Sequence, residues 1–149
     1  MKDEDFMQGA LVEARIAFSE DEVPVGACLV LDGHIIASAH NQTRTFNDPT
    51  AHAEILAIQK AGRYLDNERL LNTTIYVTIE PCPMCAGALL WARIKRLVFG
   101  AKDEKAGACG SVMDLTNNPK FNHKIEVCRG ILEQECITLM QSFFRQKRN

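Results

Sequence analysis

Apolar residues recur at helical spacing over residues 3–19, where Phe6, Ala10, Leu11, Ala14 and Phe18 fall on one stripe. The acids that open this segment suit the positive end of a helix dipole. Residues 25–31 are then continuously apolar, the pattern of a buried strand. Asp32-Gly33 supplies a hairpin turn before a return strand over 34–39. Residues 41–49 are polar and predict a loop. A second helix is predicted after them, capped by Asp48 or Thr50, running to about Ala61 and stopped by Gly62. Residues 73–79 are rich in β-branched side chains and predict a strand, which Pro81 breaks. A helix over 83–92, a short strand over 96–99 and a last strand over 125–127 follow. Residues 131–145 close the pattern as an amphipathic helix, with Ile131, Leu132, Cys136, Leu139, Met140, Phe143 and Phe144 apolar.

This order predicts an α/β layered domain with a mixed sheet, in which strands joined through helices run parallel. Neither a linker nor a repeat interrupts it, so one domain is expected over residues 1–149. Hydrophobic residues make up 46% and charged residues 24%, a balance that excludes wholesale disorder. No apolar run approaches the ~20 residues of a membrane helix. The acidic start, Met1-Lys2-Asp3-Glu4-Asp5, does not fit a secretory signal, so a cytoplasmic protein is expected. The formal net charge of −2 gives no general attraction to nucleic acid. Six cysteines could form three bridges. In a reducing compartment, clustered cysteines more often bind metal.

Two short segments carry candidate chemistry. His52-Ala53-Glu54 and Pro81-Cys82-Pro83-Met84-Cys85 each open a predicted helix. Cys82 and Cys85 are three apart and share a helix face, where the dipole favours thiolates. A single C-x-x-C serves redox sites as well as metals, but no thioredoxin-like setting accompanies this one. It supplies two ligands for a tetrahedral zinc ion, with His52 the leading third. His34, beside the hairpin turn, is expected to be exposed, and His40 to be an ordinary strand-end residue. Three protein ligands leave one position open, the mark of a catalytic zinc. Cys109, in the loop-like Gly107-Ala108-Cys109-Gly110, is the rival for a fourth ligand. Cys28, Cys128 and Cys136 read as small buried hydrophobes. Glu54 lies two residues from His52, so the two do not share a face of a regular helix. The spacing makes sense if His52 holds the metal at the helix start while Glu54 reaches the water there. Zinc lowers the pKa of such a water to about 7, and a neighbouring carboxylate can move its proton.

H-x-E followed by P-C-x-x-C resembles the zinc-dependent nucleoside and nucleobase deaminases. Glu22-Val23-Pro24-Val25-Gly26-Ala27, Asp48-Pro49-Thr50-Ala51-His52-Ala53-Glu54-Ile55 and Glu80-Pro81-Cys82-Pro83-Met84-Cys85-Ala86-Gly87-Ala88 narrow the resemblance. With Val98-Phe99-Gly100-Ala101-Lys102-Asp103 and Asn122-His123, they are similar to the bacterial tRNA-specific adenosine deaminases from about Phe6 to Arg145. That resemblance implies a three-layer α/β/α cytidine-deaminase-like fold with a central mixed β-sheet. It implies a homodimer with one Zn2+ per subunit, held by His52, Cys82 and Cys85, and Glu54 as proton shuttle. Asn41 would contact the nucleotide, and Asp103 would lie near the target nucleotide's backbone. The implied reaction is hydrolytic deamination of the wobble adenosine of an arginine tRNA anticodon to inosine. The partner is then the tRNA anticodon stem-loop, with no membrane or DNA expected. Arg145, Lys147 and Arg148, and a second cluster at Arg93, Lys95 and Arg96, are candidate RNA contacts.

Two other readings compete. A deaminase of a small substrate such as guanine, cytosine or a free nucleoside would use the same zinc chemistry. A zinc-stapled, non-catalytic RNA-binding module would need a fourth protein ligand and would not need Glu54. The full motif set and the basic C-terminal end favour the tRNA reading.

Overall fold

The computed structural model describes residues 1–148 and the side chains of 1–147. The expected contributions of the Arg148 side chain and of Asn149 lie outside the described residues. Strands β1 (Gly26–Leu31), β2 (His34–His40), β3 (Thr74–Ile79), β4 (Arg96–Ala101) and β5 (Glu126–Arg129) form one sheet in the order β2-β1-β3-β4-β5. β1 is antiparallel to β2 and β3, whereas β3, β4 and β5 are parallel. The helices are α1 (Asp3–Ser19), α2 (Thr43–Phe46), α3 (Ala53–Leu65), α4 (Pro83–Trp91) and α5 (Glu133–Arg148).

Side-chain alternation along the strands builds a core on each face of the sheet. Ala27, Leu29, Ile75, Val77, Leu97 and Phe99 pack against α3 and α4. Cys28, Val30, Tyr76 and Val98 pack on Phe6, Met7 and Ala10 of α1. Leu11, Ala101 and Cys136 join α1, β4 and α5. The architecture is therefore the expected three-layer α/β/α sandwich around a mixed sheet. α1 rests directly on the backbone of β1, because a Cβ at Gly26 would lie 2.0 Å from the Ala10 carbonyl oxygen. No helix among the described residues is long and apolar enough to cross a membrane.

The start of α1 is tied to the sheet by one carboxylate. Asp3 accepts hydrogen bonds from the Tyr76 hydroxyl at 2.7 Å and from Arg96 at 2.8 and 2.7 Å. The Arg96 guanidinium holds the Asp3 carboxyl below its ordinary value of 3.8. The stability linked to this group is therefore present above that value and lost as pH falls through the lowered folded value. Asp3→Asn is expected to cost about 2 kcal/mol near neutrality and to flatten the acid limb of stability against pH. Urea unfolding of both proteins near neutrality and in acid checks this.

The boundaries differ from the sequence expectations at five places. The expected loop over 41–49 contains the single-turn helix α2. Neither Asp48 nor Thr50 caps α3. His52 occupies the N-cap position without a side-chain cap bond, and Asp48 instead accepts the Thr50 amide and hydroxyl at 2.8 and 2.7 Å. Gly62 lies inside α3, which stops at Asp66 in the left-handed region at φ 52°, a conformation a short acidic side chain tolerates. At the far edge, β5 follows the parallel register of β4, pairing Arg96 with Glu126 and Phe99 with Arg129, so it lies one to two residues later than expected. Leu132, at φ 53°, delays the start of α5 to Glu133.

β2 and β3 point the same way, both being antiparallel to β1. The segments leading into α3 and α4 therefore leave the same edge of the sheet. Open α/β sheets bind their ligands beyond such carboxyl ends.

Candidate functional site

His52 and Cys82 are the N-cap residues of α3 and α4, each with extended backbone. Pro83 at the first position of α4 sacrifices no helical hydrogen bond, and its φ is preset for the helix. Cys85 follows within the first turn and is fully buried. His52 Nδ1 lies 3.4 Å from Cys85 Sγ and 3.7 Å from Cys82 Sγ. The three candidate ligand atoms all lie within 4.8 Å of one another. Zn–S and Zn–N bonds in a tetrahedron separate their ligands by about 3.5–3.8 Å, so this donor set fits a metal ion of that geometry. The Cys85 thiol, donating toward Cys82, pulls the Cys82 thiol down to about 4 against the opposing effect of burial. That interaction and burial push Cys85 up in turn. A divalent cation displaces thiol protons when it binds such a pair.

Glu54, at the second position of α3, is 4% exposed. Burial pushes its carboxyl up to about 7, against the pull of the nearby His52. A carboxyl poised near neutrality suits proton transfer in both directions.

A cavity of 270 Å³ opens over these groups. It brings together five of the six residues singled out in the sequence: Asn41, His52, Glu54, Cys82 and Asp103, with Cys85 buried behind them. Its volume suits one heterocyclic ring system. Asn41 donates from Nδ2 to the Val23 carbonyl at 3.3 Å, and its Oδ1 is buried without a hydrogen-bond partner. A buried orphan acceptor in a cavity wall is a place for a ligand's donor. Asp103 turns its carboxylate onto its own loop, accepting the amides of Lys105 and Ala106 at 3.0 and 3.1 Å.

The other histidines and cysteines lie outside the metal cluster. His34 is exposed, as expected. His40 is more than a plain strand-end residue. Its ring nitrogens lie 3.1 Å from Glu13 and 2.8 Å from Glu20, which ties the end of β2 to α1. His123 Nε2 lies 2.6 Å from the Ile94 carbonyl oxygen. Cys28 and Cys136 are buried, and Cys128 is half-buried. Cys109 is also buried, with its sulfur 3.9 Å from the Pro81 carbonyl oxygen. It is the expected rival for a fourth ligand, but it lies outside the ligand cluster and its amide is fastened at 3.0 Å to Glu80.

Glu22 and Glu80 were not singled out from the sequence as functional residues, yet both are buried beside the cavity. The available signal for Glu80 was an acid at the end of an apolar strand directly before Pro81-Cys82. Burial alone would raise its carboxyl, but the Ser111 hydroxyl and three backbone amides outweigh it and hold it below its usual value.

The family model for MafB19-like deaminases matches residues 1–148. The tRNA-specific adenosine deaminase of Bacillus subtilis (strain 168) is 48% identical over 147 residues, covering 99% of this chain and 91% of that protein. A solved structure from a study of A-to-I editing by tRNA:A34 deaminases is 50% identical. It superposes with a TM-score of 0.88 over 91% of this chain and 98% of that one. A guanine deaminase from Bacillus subtilis is 35% identical, with a TM-score of 0.67 over 100% of this chain and 95% of that one. Identity and superposition are both higher for the tRNA-specific proteins. This chain belongs to the MafB19-like deaminases and, among them, to the tRNA-specific adenosine deaminase family.

Proposed function

We propose that this protein is a zinc enzyme that hydrolyses adenosine to inosine at the wobble position of a tRNA anticodon, an arginine tRNA being the substrate. The observation that carries the reading is the buried Glu54 carboxyl beside the His52, Cys82 and Cys85 ligand atoms, at the base of a cavity sized for one base. His52, Cys82 and Cys85 would hold the metal. A bound zinc ion supplies a Lewis acid and a water that ionises near neutral pH. Glu54 takes a proton from the attacking water, delivers it to N1 of adenine as C6 is attacked, and helps protonate the departing amine. Water and adenosine thereby give inosine and ammonia. Asn41 offers its unpaired Oδ1 to a donor on the nucleotide, and Asp103 stands at the rim beside the nucleotide's backbone. The base must be unstacked to enter, a cost that an anticodon loop has partly met in advance.

RNA contact is drawn mainly from α5. A cleft of 610 Å³ lined by Lys105, Met140, Gln141, Phe144 and Arg145 shares Met140 with the cavity. Arg145→Ala is expected to weaken binding of an anticodon stem-loop several-fold and to lower the salt slope of binding by about one. Fluorescence anisotropy across a salt series measures both.

The homodimer is part of the same reading. α4 exposes Met84 near its start and Trp91 at its end, the latter by 81% and beside a cleft of 360 Å³ that includes Phe121. An exposed apolar face of this kind suits a second copy of the chain. One domain, acting in the cytoplasm where mature tRNA is found, completes the proposal.

The deciding experiment incubates the zinc-loaded protein with an anticodon stem-loop that carries a wobble adenosine, and measures inosine by mass spectrometry. Guanine, cytosine and free nucleosides run in parallel. Inosine in the RNA alone is the expected result. Ammonia from a free base with none from RNA overturns the proposal in favour of a small-substrate deaminase.

A further inference from the structure

We propose that Glu22 and Glu80 are positioning residues, buried carboxylates under opposite rims of the cavity that hold those rims in the shape that receives the target nucleotide. The inference rests on the deaminase reading above and assigns a role to residues outside the metal and proton-transfer groups. Glu22 is 1% exposed and Glu80 is 3% exposed. Neither forms a salt bridge among the described residues, so each carboxylate is compensated by hydrogen bonds instead. A buried charge is weak evidence for stability, because the cost of taking it out of water offsets much of what its bonds return. What it provides is direction, because charge-assisted bonds fix the donors that point at them.

Those donors come from rim segments with little structure of their own. Glu22 accepts the Arg44 amide at 3.1 Å, the Thr45 amide at 2.7 Å and the Thr45 hydroxyl at 2.6 Å. These are three of the polar groups of α2, a four-residue helix too short to persist unaided. α2 places Thr43 in the cavity wall. Across the cavity, Glu80 accepts the amides of Asp103, Cys109 and Ser111 at 3.1, 3.0 and 3.1 Å, and the Ser111 hydroxyl at 2.5 Å. The segment from 102 to 112 contains no helix or strand apart from the Cys109–Asp114 bridge, and it carries Asp103. The segment wraps closely over the carboxylate. A Cβ at Gly107 would lie 2.4 Å from Glu80 Cδ and 2.5 Å from the Asp103 carbonyl oxygen.

A carboxylate is the side chain that this arrangement requires. All the groups facing Glu80 are donors, and only an ionised carboxylate offers acceptors on both atoms. In Glu80→Gln, the amide NH2 faces N–H or O–H donors and pushes one side of the segment away. Glu22→Gln does the same at α2.

The experiment measures inosine formation on the anticodon stem-loop by zinc-loaded Glu22→Gln and Glu80→Gln, with metal content and amide hydrogen exchange on the same samples. The expected result is a KM about ten-fold higher with kcat within about three-fold, since the loss is one of positioning before chemistry. Metal content should stay at that of the unsubstituted chain. Exchange should accelerate over 103–111 in Glu80→Gln and over 43–46 in Glu22→Gln, each rim independently of the other. Thr45→Ala and Ser111→Ala delete one donor and leave the carboxylate, so they should shift KM the same way by a smaller factor. KM unchanged in both glutamine variants overturns the inference. So does a loss of kcat that merely follows lost metal or lost folded fraction. Inosine formation by the unsubstituted chain tells the two readings apart. Without it the RNA reading fails, and the KM comparison is made on whichever free base or nucleoside yields ammonia.

Discussion

Glu54→Gln is expected to lower turnover on an anticodon stem-loop by about 10³-fold while leaving the fold and the bound metal in place. Glutamine keeps the size of the side chain in a site that is 4% exposed, so no cavity opens. It cannot accept and return a proton, the one function that the position provides and its surroundings support. Burial pushes the Glu54 carboxyl up to about 7, so the folded protein bears a cost for keeping it ionised. The neutral amide relieves that cost, and the variant is expected to melt no lower than the unsubstituted protein. Single-turnover inosine formation, metal analysis and a thermal melt on one preparation give all three readings. Activity within ten-fold of the unsubstituted protein, with metal retained, would overturn the assignment of Glu54.

Cys82→Ala is expected to abolish both metal binding and activity, as is prolonged chelation of the unsubstituted protein. The cause is the donor set itself. Cys82 and Cys85 lie 3.7 and 3.4 Å from His52 Nδ1, and two ligands do not hold a catalytic ion as three do. A ligand bound only to the folded state adds about 4 kcal/mol at a thousand-fold excess over its Kd, so the melting temperature should fall on chelation and recover with added zinc. The chain should remain folded without metal, because the cores on the two faces of the sheet are built independently of the site. Cys109→Ala is the informative control. That thiol is buried on the Pro81 carbonyl side and outside the ligand cluster, so the variant should bind one metal ion per chain. Loss of metal in Cys109→Ala would show a fourth protein ligand and would favour a structural zinc over a catalytic one.

Much of this architecture is readable from local pattern. The stripe of Phe6, Ala10, Leu11 and Ala14 marks α1 with its observed limits, and the apolar runs locate β1 and β3 to within one residue. These are local properties of side-chain spacing, and tertiary packing agrees with them. The misplacements fall where another segment decides. α2 leaves no local signal, because Thr43-Arg44-Thr45-Phe46 has no apolar stripe, and the turn forms against Glu22, more than twenty residues earlier. β5 takes its register from β4 and not from its own residues. His52 lies at the N-cap where local pattern favours Asp48 or Thr50, and its ring meets Cys82 and Cys85, 30 and 33 residues later.

The sequence by itself determined the layered α/β class and the two motif segments, along with the residues able to bind a soft divalent cation and to move a proton. Those properties depend on spacing along the chain and on side-chain chemistry, which are present before folding. Only the tertiary structure decided that Asn41 and Asp103 share a cavity with Glu54 and that Cys109 stays out of the ligand cluster. It also decided that Glu22 and Glu80 hold the two rims. A carboxylate's role depends on whether it is buried and on which donors face it. Here the donors come from segments 22 to 31 residues away, a separation that local pattern does not span.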